Sequence, residues 1–219
     1  MTTSIELTKR WVLLGIIFGI LANAVFISIS IQMEEGALPP KFIYSLAWSF
    51  GPMVIVAGMG LYHFLLTRGE SVRLQLAKMF MVFGGVCVTI VITVRGVALY
   101  EFPGFKPEAT DRAAIGAWNH AYKAIMLTQR GVELAWGIFI YMAVILFASA
   151  IFAHRTSGKI IGTFGMTIGL LGLFFDFIIW PADPESAGLV NMGPFVGFWF
   201  IAVAIMMAVQ YKKLGSTSE

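Results

Sequence analysis

Charge is scarce in this sequence: Asp, Glu, Lys and Arg make up 12% of its 219 residues, against roughly a quarter in a soluble domain. So few charges do not solvate a globular exterior, and a water-soluble fold is excluded. Cysteine is almost absent. Cys87 stands alone, which rules out an intrachain disulfide and a thiolate-rich metal site; it reads as a small apolar residue packed in a helix. No lysine lies in the middle of an apolar run, so a retinal Schiff base has no point of attachment, and a light-driven pump of that type is excluded. The patterns HExxH, GxSxG, GxxxxGK(S/T) and CxxC are also missing, which leaves zincin, α/β-hydrolase, nucleotide-driven and thiol-redox mechanisms without a local signature. The 12 methionines are scattered, whereas copper binding needs a dense set of soft ligands.

What is present is apolar sequence, with 58% hydrophobic residues and a mean hydropathy of +0.84. It falls into six runs, at about 11–31, 42–66, 76–100, 131–152, 160–180 and 192–211. Each is long enough to cross a hydrocarbon core of about 30 Å at about 1.5 Å per residue. The breaks carry turn residues: Glu34-Glu35-Gly36 with Pro39-Pro40, Thr67-Arg68-Gly69-Glu70, Pro103-Gly104, Ser157-Gly158, and Pro181 with Pro184. The expected fold is therefore all-α, a polytopic membrane bundle of six transmembrane helices forming one integral membrane domain over 1–219, without a soluble module. Lys9-Arg10, the apolar run and Ala22-Asn23-Ala24 imitate a secretory signal. Apolar sequence continues through Ile31, so the stretch reads as a retained first helix.

Orientation follows from lysine and arginine. Lys9, Arg10, Arg68, Arg73, Lys78, Arg155, Lys159, Lys212 and Lys213 fall on the side of the N-terminus, while the opposite loops hold Lys41, Lys106, Arg112 and Lys123 together with most of the acids. The positive-inside rule then puts both termini in the cytoplasm. The longest outer loop, from Glu101 to about Lys123, can become helical from Ala113, with Asp111 as N-cap. Trp118 and Tyr122 make it either an interfacial anchor or a lid over an outward-facing pocket. Gly15 with Gly19, Gly165 with Gly169 and Gly193 with Gly197 form GxxxG pairs, read first as packing within the chain and second as dimerisation.

Four ionisable residues interrupt the runs: Arg95, Arg130, Glu133 and Asp176. Charge in hydrocarbon costs enough that it marks a paired or functional site. The topology brings all four to the outer third of helices three, four and five. Two cations and two anions neutralise one another if Arg95 meets Asp176 or Glu133 and Arg130 meets Glu133 or Asp111, with Gln129 and Asn191 adding hydrogen bonds. One reading is an ion-pair network that fixes helix packing. The other is the floor of an outward-opening polar pocket. His63 and His154 share the cytoplasmic side, but local hydrogen bonding accounts for them better than haem ligation. No catalytic residue, metal ligand or cofactor is assigned.

Lys9-Arg10 before a glycine-containing first span, the stretch Gln129-Arg130-Gly131-Val132-Glu133-Leu134-Ala135-Trp136-Gly137, and the basic turn His154 to Lys159 leading into Ile160-Ile161-Gly162-Thr163-Phe164-Gly165 carry one further signal. Together they resemble a bacterial six-helix inner-membrane family of unknown function. That resemblance implies a bacterial inner-membrane location and supplies no activity. The expected function is a small-ligand-binding or accessory membrane protein. A small-solute transporter or channel is the alternative, and an intramembrane enzyme comes third, because two nearby arginines disfavour a carboxylate acting as general acid. Expected partners are the lipid bilayer and a homo-oligomer or larger membrane complex, with no nucleic acid.

Overall fold

The computed structural model describes residues 5–35, 40–107, 112–153, 156–179, 192–212 and 214. Among them are seven α-helices and no strand: α1 (Ile5–Glu35), α2 (Pro40–Trp48), α3 (Phe50–Leu66), α4 (Val72–Gly96), α5 (Arg112–Phe152), α6 (Thr156–Ile179) and α7 (Gly193–Tyr211). They supply six helical stretches long and apolar enough to cross a membrane.

The second stretch, Tyr44–Leu66, is built from α2 and α3 with a break at Ser49. The expected single helix over 42–66 is interrupted for a local reason. Pro52 has no N–H to offer the Trp48 carbonyl four residues back, and its ring crowds that carbonyl. Ser49 closes the gap by turning both its N–H (3.1 Å) and its Oγ (2.6 Å) onto the Leu46 carbonyl. At the other end of α3, Gly69 takes a φ of 126°, a conformation open mainly to glycine. Ser71 then caps α4, accepting from the Leu74 N–H at 3.3 Å.

Beyond Gly96 the chain widens into a π-helical turn, Val97–Glu101, and then tightens into a 3-10 turn, Phe102–Phe105. Pro103 sits in that turn, where its missing N–H costs nothing. α5 is 41 residues long, about 60 Å or twice a bilayer core. The span expected at 131–152 is therefore its second half, and 112–130 continues the same helix beyond it. Asp111, the expected N-cap, lies outside the described residues.

α4 and α5 pair antiparallel along nearly their whole length. Arg73 Nη1 donates to the Ser149 carbonyl at 3.4 Å, Phe80 and Phe83 meet Phe139 at 6.0 and 5.5 Å, and Gly84 abuts Ile140. Past α4, Phe102 stacks on Trp118 at 5.2 Å, and Trp118 on Tyr122 at 5.6 Å. The Trp118 indole donates to the Phe102 carbonyl at 3.4 Å, and Lys106 Nζ stands 5.7 Å from the Trp118 ring. This aromatic clasp ties the turn after α4 to the N-terminal half of α5.

The six crossings form a closed ring, each packed against its neighbours in sequence and α7 returning to α1. Small residues set the spacing. Gly15 and Gly60 bring α1 and α3 so close that a Cβ on either would collide with the other's backbone. Each GxxxG pair supplies at least one glycine to a contact between helices of this chain: Gly15 with Gly60, Gly165 with Trp199 and Ala148, and Gly197 with Asn23. Trp199 is fully buried, and its indole donates to the Ile161 carbonyl at 3.0 Å, joining α7 to α6. We call the end where α1 begins and α7 finishes the near end, and the opposite one the far end.

Candidate functional site

On α5, Gln129, Glu133, Gly137 and Tyr141 recur at four-residue spacing and share one face. Gln129 is 3% exposed, and its Nε2 donates to Glu133 Oε2 at 3.0 Å. The opposing face of α6 carries Gly162, Gly165, Gly169 and Gly172, which meet Phe152, Ala148, Ile145 and Tyr141 in turn. One turn beyond Gly172 comes Asp176. A Cβ built on Gly137 would overlap Asp176 Oδ2 and lie 3.5 Å from Tyr141 Cε2. The Asp176 carboxylate therefore fills the space that the missing Gly137 side chain leaves, beside the Tyr141 ring.

Asp176 Oδ2 is buried without a hydrogen-bond partner. An acceptor left so costs about 1–3 kcal/mol. Glu133 adds like charge close by. Neither Arg95 nor Arg130 forms an ion pair with Glu133 or Asp176 among the described residues, so the pairing expected from sequence is not made. Helix register supplies the reason. Arg130 precedes Gly137 by seven residues on α5, about 10 Å along the axis, and the α4–α5 register sets Arg95 opposite Gln129. The glycine face of α6 lets Asp176 sit deeper, opposite Gly137. Both arginines thus lie toward the far end from Asp176, out of register with it, while Glu133 falls between them and Asp176, one turn from Arg130. Asp111 and Asn191, the other expected partners, lie outside the described residues.

Next to Asp176 is a cleft of about 670 Å³ including its mouth, between α1, α3, α5 and α7. Its walls carry the rings of Phe26, Phe50, Trp136, Tyr141 and Phe200, with Gly19, Ala22, Ala57, Gly137, Gly193 and Gly197 between them. Asn23 is the one amide side chain in the lining, and its Nδ2 donates to the Gly19 carbonyl at 2.9 Å. The lining resembles that of a small-molecule site, mostly apolar with a few polar groups. Gly137 and Tyr141 belong to the cleft wall and to the Asp176 contact alike. The acid thus sits directly behind the lining.

Sequence reasoning found Asp176, Glu133 and Gln129 but missed Gly137, Tyr141, Asn23 and the ring-lined walls. The four-residue stripe on α5 was a readable signal. The wall rings had none, because an apolar run does not show which aromatics face lipid and which face a cavity.

At the near end, His63 stacks on Trp11 at 5.3 Å with Tyr62 edge-on, and its Nδ1 is buried without a partner. His154 lies outside the described residues. Among the described residues, no three of His, Cys, Asp and Glu gather as a metal site. Comparison of the chain with protein-family models, with curated proteins and with solved structures finds no match.

Proposed function

We propose that the chain is a multi-pass protein of the bacterial inner membrane, with both termini in the cytoplasm, and that it binds a small ligand in the cleft between α1, α3, α5 and α7. The basic residues of the near end, Lys9, Arg10, Arg68, Arg73, Lys78 and Lys212, support the orientation through the positive-inside rule. The observation that carries the binding reading is the cleft itself: ring-lined, with glycines between the rings and an unpaired buried carboxylate directly behind it. Protein purified in mild detergent should carry a small molecule or lipid detectable by native mass spectrometry. Val196→Phe, which fills the cleft from α7, should lose that molecule while keeping its melting temperature within a few degrees. Equal retention by the variant, or an empty wild-type protein, would count against the reading.

One observation favours transport as a second reading. The second stretch loses a hydrogen bond to Pro52 at Ser49, whose backbone stays helical, and Phe50 beside it lines the cleft. A proline-weakened helix next to a site is a place where the helix can bend to admit or release a ligand. Flux of the copurified molecule in proteoliposomes, abolished by Val196→Phe, would separate transport from binding alone.

A further inference from the structure

We propose that the cleft selects a lipophilic monovalent cation, an apolar body bearing one ammonium or comparable positive centre, with Asp176 as its counter-charge. This rests on the cleft being a ligand site and names the ligand class. Three observations converge. The lining is aromatic on several sides, and ring faces attract cations. The carboxylate packed behind Gly137 has an oxygen with no donor, and its charge acts through the thin glycine wall on whatever occupies the cleft. Among the described residues no cation pairs with that carboxylate. α3 and α7 contain no Asp, Glu, Lys or Arg, nor does α1 between Trp11 and Met33.

Glu133 reinforces the negative potential from one turn farther out on α5. Arg95 and Arg130, at the level of Gln129, are set about 10 Å from Asp176 along the helix axes. They leave its charge standing while disfavouring a second positive centre, which is why a monovalent ligand fits. An anion of the same shape would be repelled by the carboxylate field, and a neutral one would gain nothing from it.

The test compares tetraphenylphosphonium with tetraphenylborate, equal in shape and opposite in charge, by Trp fluorescence quenching and calorimetry on the full chain in neutral detergent. The wild-type protein should bind the phosphonium at least about tenfold more tightly than the borate. Asp176→Asn should erase most of that preference, and Glu133→Gln should reduce it by a smaller factor. Val196→Phe should abolish binding of both probes. Equal affinity for the two ions in the wild-type protein would overturn the cation assignment while leaving the cleft a ligand site. Binding of either ion that Val196→Phe does not change would remove the cleft itself as the site. Because the charge comparison needs only the wild-type protein, it stands even if Asp176→Asn fails to fold.

Discussion

The two ends of the bundle treat their charges differently. At the near end every cation of the α3–α4 turn region has a partner: Arg68 bonds Gln210 and lies 4.8 Å from the Phe64 ring, Arg73 reaches the Ser149 carbonyl, and Lys78 Nζ stands 4.6 Å from the Tyr62 ring. Glu70 there accepts from Gln75. At the far end Arg95, Arg130, Glu133 and Asp176 share a bundle without an ion pair among them, and Asp176 Oδ2 has no donor. Folded proteins satisfy buried polar groups almost without exception. The near end has the chemistry of a sequence selected to seat a membrane helix bundle. The far end leaves Asp176 deeper than both arginines, next to a cleft, and leaves Glu133 without an ion pair among the described residues although Arg130 is one turn away on the same helix. His63 Nδ1 at the near end is buried without a partner too, so what sets the far end apart is unpaired charge rather than an unsatisfied atom as such. Unpaired charge beside a cleft marks a site selected for something besides folding.

Three substitutions sharpen that contrast. The largest effect falls on neither end but on the scaffold that holds both: Gly60→Leu must push α1 off α3 at the Gly15 contact. A loss of about 3 kcal/mol, read as lost monodisperse protein on size-exclusion chromatography, is expected. Next comes Arg68→Ala, which removes a hydrogen bond to α7 and a ring contact. It should lower thermal stability by about 1 kcal/mol. Arg95→Ala should have the smallest effect, within about 0.5 kcal/mol of the parent, because no ion pair is lost. If Arg95→Ala unfolds the protein while Arg68→Ala does not, the contrast between the ends is reversed and the far-end charges hold the fold after all.

Much of the architecture was legible in sequence because hydrocarbon imposes a plain length and composition rule: six runs became six crossings. The breaks were less so. Pro52 stands in plain view, and its effect four residues upstream at Trp48 is a local steric rule, yet the hydropathy of 42–66 is continuous across the break. The length of α5 was half legible, since no proline stops it before Phe152, but the stacking of Trp118 on Phe102 that seats its extension is a long-range contact. Depth was the hardest to read. Asp176 lies near the end of its run, which suggests an interfacial position; the glycine face of α6 against Tyr141 and Ala148 sets a register that carries it inward, opposite Gly137. Residue number along one helix does not give depth when the neighbouring helix is twice as long.

The central proposal is that the cleft between α1, α3, α5 and α7 takes up a ligand and, with both termini proposed to be cytoplasmic, that the ligand enters from the opposite side. Phe26→Cys places a thiol in that cleft, and Cys87→Ser removes the native one, which is half-buried on α4. Labelling with a membrane-impermeant maleimide, compared between spheroplasts and inverted vesicles, reads the access directly. The account predicts modification in spheroplasts and protection in inverted vesicles; modification only in inverted vesicles, or none on either side, would contradict it.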